Sequence, residues 1–411
     1  MDAGTVSHSQ DHLDSAASWT RLAVSVLIGA IDSVGMWAVV VVLPAVQAEF
    51  GVSRADASLP FTVTMVGFGL GNVVMGRLAD RFGIALPVAC GAGALGAGYV
   101  AAAFAPSLWF FIAAHFLIGM GAAAGFGPVV ADVSHWFLRR RGIAVAAAAS
   151  GNYFAGAIWP PVVQYFMSTA GWRATHIGIG LFCILTLLPL ALPLLRRAPG
   201  HDSAAHSAAP AGSLDRIGLS PQALQALLCV AGLACCVAMA MPQVHIVAYC
   251  GDLGYGVARG AEMLSIMLGC GIVSRIGSGF IADRIGGLGT LLIGSAMQAV
   301  ALTLYLFFDG LVSLYVISAL FGLFQGGIVP SYAMIVREFF PPRDAGVRVG
   351  VVIFATVIGM AFGGWMSGLI FDLTGSYAAA FANGILWNLL NLAIAGWLLL
   401  RAHGGLRLQP A

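Results

Sequence analysis

Between Arg21 and Arg401 the chain is a succession of apolar stretches, each long enough to cross a bilayer and separated by short polar turns. About 20 apolar residues in helical form span a hydrocarbon core of about 30 Å. Twelve such stretches are readable, at approximately 21–47, 57–79, 85–105, 108–135, 142–168, 174–195, 223–250, 258–282, 287–308, 311–339, 344–371 and 377–401. With 60% hydrophobic and 9% charged residues over 411 positions, no water-soluble fold buries the apolar surface this chain carries. The expected fold class is an all-α membrane protein, with twelve transmembrane helices in two pseudo-symmetric six-helix bundles. The reading divides the chain into an N-terminal tail (1–20), a first bundle (21–195), a linker rich in Ala, Ser, Pro and His (196–222), a second bundle (223–401) and a C-terminal tail (402–411).

Charge sets the orientation. All nineteen basic residues are arginine, and with both termini inside, only Arg54, Arg173 and Arg259 fall on the outer side. Arg275 lies within a span, and the remaining arginines face the cytosol, as the positive-inside rule requires. The net charge of +2 is scattered through short loops, so no nucleic-acid partner is expected. The seven cysteines sit almost wholly in apolar segments and read as small core residues, without disulfides. The first twenty residues lack a basic n-region and read as a cytosolic tail, not a cleaved signal peptide. No phosphate-binding Gly-rich loop and no zinc or triad spacing is present. The sequence thus points away from an ATP-driven pump and from an enzyme, and no cofactor or metal is expected.

The halves repeat. Gly76, Asp80, Arg81 and Gly83 follow the second span, and Gly279, Asp283, Arg284 and Gly286 follow the eighth, 203 residues later (279 − 76). Two matching G-x-x-x-D-R-x-G turns at half the chain length indicate two related bundles. The glycines are expected to allow a tight turn and close helix contact, and each Asp-Arg pair to act as a conformational latch at the cytosolic surface.

Arg275 stands eight residues before Asp283, or about 12 Å into the membrane at about 1.5 Å per residue. A guanidinium at that depth costs a few kcal/mol unless it faces a wet cavity or a partner. It is a site candidate, the alternative being a structural arginine tied to a neighbouring helix.

At these residues the chain resembles the major facilitator superfamily over essentially its whole length. The turn Gly76, Asp80, Arg81, Gly83 is similar to that family's loop signature after helix two. More narrowly it resembles the bacterial branch related to monocarboxylate transporters and the oxalate/formate antiporter. That likeness is carried by Trp136-Phe137-Leu138-Arg139-Arg140-Arg141-Gly142, Ala149-Ser150-Gly151, Pro160-Pro161, Gly171-Trp172-Arg173 and Asp372-Leu373-Thr374-Gly375-Ser376-Tyr377. The resemblance implies alternating access around a central site. It also implies that Arg275 matches the carboxylate-binding arginine of the eighth helix. The family's proton-carrying aspartate falls on Gly271, its first-helix lysine has no counterpart, and no second basic residue stands in span eleven. A single carboxylate in forked contact with Arg275 fits better than a dicarboxylate between two cations.

Other polar residues lie within the spans. Asp32 is the one acidic residue near the middle of a helix, roughly 16 Å deep. It reads as a titrating coupling residue, a standing partner of Arg275 or a bystander at a cavity edge. His115 and His245 are proton-coupling candidates against a more ordinary role in hydrogen-bonded packing. Pro242 is expected to bend span seven at a gating point. Asn152, Tyr153, Phe324 and Gln325 are candidates to line the substrate path, the alternative being interhelical hydrogen bonds or packing. Asp132 and His135 read as surface partners of Arg139 to Arg141. Glycine pairs such as Gly67 and Gly71, Gly119 and Gly121, and Gly359 and Gly363 read as packing contacts.

The expected function is secondary transport of a small organic anion, a monocarboxylate first, coupled to proton symport in a bacterial inner membrane with both termini cytoplasmic. Its partners would be that anion, protons and the lipid bilayer, with the chain a monomer. The rivals are a proton-coupled drug or cation exporter using Asp32, an anion uniporter or exchanger, and a non-transporting sensor. The exporter is opposed by the positive charge of Arg275 and by the absence of a Gly-Pro dipeptide in span five, where Gly156 precedes Ala157.

Overall fold

The computed structural model describes residues 13–196 and 217–404. Most of the expected linker and parts of both tails, with Arg197, Arg216 and Arg407, lie outside the described residues. In a bilayer no water can satisfy an open backbone group, so a chain this apolar folds into helices. Fourteen α-helices are described: α1 Ala16–Asp32, α2 Val34–Phe50, α3 Arg54–Phe82, α4 Ala85–Ala103, α5 Leu108–Ala122, α6 Gly127–Ser134, α7 Arg141–Ala149, α8 Gly151–Ala191, α9 Pro221–Asp252, α10 Val257–Phe307, α11 Leu311–Gln325, α12 Ile328–Phe339, α13 Pro342–Thr374 and α14 Tyr377–Gly404. Side-chain oxygens of Ser15, Ser107 and Ser220 cap α1, α5 and α9.

Among the described residues, ten continuous segments are long and apolar enough to cross a membrane. Two of them, Arg141–Leu195 and Val257–Phe307, are 55 and 51 residues long. Each breaks at a glycine in the left-handed region, Gly171 (φ 80°) and Gly286 (φ 76°), and therefore supplies two spans. The total is twelve. Four spans are also interrupted without turning back: span one at Ser33, span four across Ala123–Phe126, span five at Ser150 and span ten at Gly326–Gly327.

The described chain forms two compact units. Unit 1 holds residues 13–52 and 59–196; unit 2 holds 53–58 and 217–404. The 203-residue repeat extends well beyond the two turns. In unit 1 a Cβ added to Gly119 would meet the Thr64 carbonyl at 2.1 Å; in unit 2 one added to Gly322 would meet the Met267 carbonyl at 2.0 Å. Gly91 packs on the Gly121 carbonyl as Gly294 packs on that of Phe324. All four pairings are related by the same offset, so spans two and four repeat as eight and ten.

The repeated turns differ from expectation in one respect. Asp80 and Arg81 belong to the last turn of α3, and Asp283 and Arg284 to a helical turn of α10. All four are exposed. Only the second glycine of each copy makes the turn, Gly83 at φ 87° and Gly286 at φ 76°. Gly76 and Gly279 are helical, and a Cβ on either would meet nothing within 4 Å. Close helix contact is therefore not their role.

A second correction concerns Asp132. Its carboxylate takes a forked contact from Arg21, Nε at 2.7 Å and Nη2 at 3.0 Å, and not from Arg139 to Arg141. Arg21 is 6% exposed and Asp132 half-buried, and the other N–H groups of Arg21 donate to the carbonyls of Pro193, Leu194 and Arg196. Trp136 covers the guanidinium at 4.5 Å. The arginine run is anchored through its backbone instead. Asp14 accepts from the N–H groups of Leu138, Arg139 and Arg140, and Trp19 packs edge-on against Phe137.

Candidate functional site

Asp32 ends α1, where the break at Ser33 turns its carboxyl toward the interrupted stretch of span four. Oδ2 accepts from the Gly125 N–H at 2.5 Å. Oδ1 has no partner among the described residues, although Asp32 is only 2% exposed. Asp32 enters no ion pair with a described residue. The contact depends on glycine, because a Cβ at Gly125 would stand 2.6 Å from Oδ2. Around it Gly29 and Gly151 meet backbone to backbone. Asn152 accepts the Trp37 indole N–H at 2.8 Å through Oδ1, and Trp159 donates to the Ala30 carbonyl at 2.8 Å. Spans one and five are thus joined on both sides of Asp32. Tyr153 is buried on the same helix as Asn152.

In unit 2, Arg275 lies on the first half of α10 and is half-buried. Its Nε approaches the Gly326 carbonyl at 3.5 Å, at the break of span ten. Gly326 presses against the Gly271 carbonyl and Ser274, where a Cβ would meet the former at 2.3 Å. The repeat relates Arg275 to Asn72, whose Oδ1 accepts from the Gly127 N–H at 3.1 Å, at the break of span four. The same position in both halves reaches the same helix interruption, with an amide in one and a guanidinium in the other.

Gln325 closes α11 one residue before that break. It is fully buried and accepts from Gln243 Nε2 at 2.7 Å. Gln243 was not a sequence candidate. Its neighbour His245 drew attention, while an amide among apolar residues gave no motif. Phe324 does not accompany Gln325; it lines a separate apolar cavity of about 280 Å³ with Met297, Ile293 and Leu323.

The histidines are held by hydrogen bonds. His115 Nδ1 donates to the Phe111 carbonyl at 2.9 Å, and His176 Nδ1 to that of Trp172 at 2.9 Å, their rings 6.1 Å apart. His176 was missed because it lies near the end of its span beside Trp172. His245 Nε2 donates to the Gly364 carbonyl at 2.8 Å, and Nδ1 accepts from the Tyr377 hydroxyl at 3.2 Å. That hydroxyl accepts from Arg54 at 2.6 Å, and Arg54 forks onto Asp252. Asp372 caps the first turn of α3 through the N–H groups of Arg54 and Ala55. The Asp372–Tyr377 motif is therefore the seat of that turn in unit 2. Likewise Trp172 and Arg173 of the Gly171 motif grip Glu49 in unit 1. The α9 helix runs on through Pro242, and the interruption in this part of unit 2 lies at Gly326–Gly327 instead.

Each unit thus has a broken span with an ionisable side chain beside it, half-buried Arg275 at Gly326 in one and buried Asp32 at Gly125 in the other. The model of the Major Facilitator Superfamily matches residues 25–311 and 278–410, and the chain belongs to that superfamily. It is a multi-pass membrane transporter for a small molecule, and not an enzyme. Monocarboxylate transporter 13 of Rattus norvegicus is 26% identical over 343 residues, covering 79% of this chain and 74% of that relative. The MFS-type transporter opdF of Penicillium oxalicum is 25% identical over 311 residues, covering 75% and 72%. Among solved structures, a bacterial homologue of the human lysosomal transporter Spinster superposes with a TM-score of 0.71 at 14% identity, over 97% of this chain and 100% of that one.

Proposed function

We propose that this chain carries a small monocarboxylate across a bacterial inner membrane, both termini cytoplasmic, by alternating access and in symport with a proton. Arg275 binds the carboxylate, and Asp32 takes and gives the proton. The observation that carries this reading is the pairing of two interrupted spans with two ionisable groups, half-buried Arg275 at Gly326 and buried Asp32 at Gly125. The similarity to monocarboxylate transporters supports the anion. A guanidinium offers a carboxylate two parallel N–H donors, which a point charge cannot reproduce. A buried carboxyl with one hydrogen-bond donor and no ion pair holds a charge only at high cost. Substrate and proton binding are then linked, each strengthening the other, as symport requires. Asn152, Tyr153 and Gln325 border the path in this reading, and Asp32 is preferred to His245, both of whose ring nitrogens are committed, and to His115, whose Nδ1 is held by the Phe111 carbonyl.

The test uses proteoliposomes of the whole chain and a panel of labelled carboxylates, with and without an imposed pH gradient. Arg275→Ala and Arg275→Lys are expected to abolish carboxylate uptake at equal membrane abundance. Asp32→Asn is expected to keep counterflow and lose accumulation driven by the gradient. Near-normal uptake by Arg275→Ala ends the anion assignment, and undiminished accumulation by Asp32→Asn makes the proton carrier another group or the protein a uniporter.

A further inference from the structure

Gln243 on α9 and Gln325 at the end of α11 face each other inside unit 2, 3% and 0% exposed. Gln243 Nε2 donates to Gln325 Oε1 at 2.7 Å, so the one acceptor atom of the Gln325 side chain is engaged. The Gln325 Nε2 group has no partner among the described residues. A buried donor left unsatisfied costs about 1–3 kcal/mol, so an acceptor brought to Gln325 Nε2 would recover that cost. The next residue, Gly326, turns its carbonyl to Arg275 Nε. The orphan amide and the guanidinium therefore belong to the same interruption of span ten. As the two amides stand, Gln243 engages the oxygen of Gln325 and leaves its Nε2 end toward no described partner.

We propose that the Gln243–Gln325 pair is a selectivity element, in which Gln325 Nε2 donates to a second acceptor oxygen of the transported anion, separate from its carboxylate. The transporter then favours oxygen-substituted carboxylates over plain alkyl carboxylates of the same size. The inference rests on the reading of Arg275 as the carboxylate-binding residue. Sites built to hydrogen-bond a substrate group reject analogues that lack it, because the buried donor is left unpaired, whereas an apolar pocket separates such analogues only weakly.

The experiment compares methoxyacetate with butyrate, which has the same length and a methylene in place of the ether oxygen, and 2-oxobutyrate with butyrate. Each is given to the whole chain in proteoliposomes, and the ratio of uptake rates is read. The wild-type chain is expected to favour one or both oxygenated acids by roughly tenfold or more. In Gln325→Leu the ratio falls to near one; in Gln243→Leu it falls part of the way, since the amide loses its fixed orientation. A wild-type chain that takes all three acids alike overturns the inference and leaves the carboxylate reading standing. A Gln325→Leu variant that keeps the wild-type ratio does the same. A wild-type chain that takes none of them, nor any other monocarboxylate in the panel, removes the carboxylate reading first. Should Gln325→Leu fail to insert, Gln243→Leu and Gln325→Asn carry the comparison. If no variant of the pair inserts, the two amides are packing elements and the inference falls.

Discussion

Replacing Gly125 by alanine places one methyl group against the carboxyl proposed to carry the proton. The new carbon would lie 2.6 Å from Asp32 Oδ2 and 2.7 Å from Asp32 Cβ, well inside ordinary contact of 3.4–4 Å. The surrounding backbone has little room to yield, because a Cβ on Gly151 would already stand 3.0 Å from the Gly29 Cα. Rotation frees the Asp32 oxygen but leaves its Cβ in place, so the two backbones must also part, and Asp32 gives up its bond to the Gly125 N–H. Overpacking of a well-filled interior costs about 1–3 kcal/mol. The lost hydrogen bond adds about 1 kcal/mol for a neutral carboxyl and about 1.5–3 kcal/mol for an ionised one. The sum, about 2–6 kcal/mol, is large for one methyl group. Gly93→Ala and Gly178→Ala are the controls, since a Cβ at either helical position meets nothing within 4 Å. Melting of the detergent-solubilised protein should fall for Gly125→Ala and hold or rise for the controls, whose helices lose a glycine. In proteoliposomes Gly125→Ala should resemble Asp32→Asn, with accumulation driven by a pH gradient impaired more than counterflow. A Gly125→Ala protein with wild-type melting and wild-type gradient-driven uptake would refute the assignment of Asp32 to this pocket.

The glycines at the two repeated turns give a different test: Gly83→Ala and Gly286→Ala force an L-residue to φ 87° and 76° and should each cost about 1–2 kcal/mol, read as lower melting, while Gly76→Ala should be neutral or stabilising. Asp80→Asn and Asp283→Asn, at exposed helix ends, should change turnover more than substrate affinity; an affinity loss with the cycle rate intact would dismiss the latch. Asp14 is held below the usual carboxylate range chiefly by the Arg139 N–H, against some desolvation, with the Leu138 and Arg140 N–H groups adding to the effect. A depressed value means that its clasp on the arginine run is present above the ordinary carboxylate range and lost as pH falls through the depressed one. Hydrogen exchange across 136–140, corrected for intrinsic rates, should accelerate in Asp14→Ala at neutral pH and in the wild type only on acidification.

The spans were legible because length and apolarity alone define them, and two turn glycines mark where spans eight and nine, and five and six, reverse. The interruptions at Ser33, Ala123–Phe126 and Gly326–Gly327 were not, since their residues read as ordinary members of apolar runs. Asp132 was assigned to its sequence neighbours Arg139 to Arg141, yet Arg21 reaches it from another helix 111 residues away. Sequence distance says nothing about which helix end packs beside which. Gly76 was read as a contact residue from its place in a motif, and only the geometry shows open space there. Arg275 and Asp32 stood out because ionisable groups are rare within spans. Gln243 and His176 did not, because a buried neutral polar group leaves no comparable signal. The 203-residue repeat held more than was taken from it: aligning the halves sets Asn72 opposite Arg275.

The backbone contacts at Gly119 and Gly322 have a mechanical consequence. Where a carbonyl of one helix occupies the space of a side chain on the next, there is no layer of rotamers between them to act as a lubricant. Spans two and four of unit 1, and spans eight and ten of unit 2, should each travel as a welded pair. Strain from any conformational cycle would then collect at the helix breaks, Ala123–Phe126 and Gly326–Gly327, which adjoin Asp32 and Arg275. Spin labels on α3 and α5 would keep one separation throughout turnover, while labels on α5 and α6, either side of the joint, would show two.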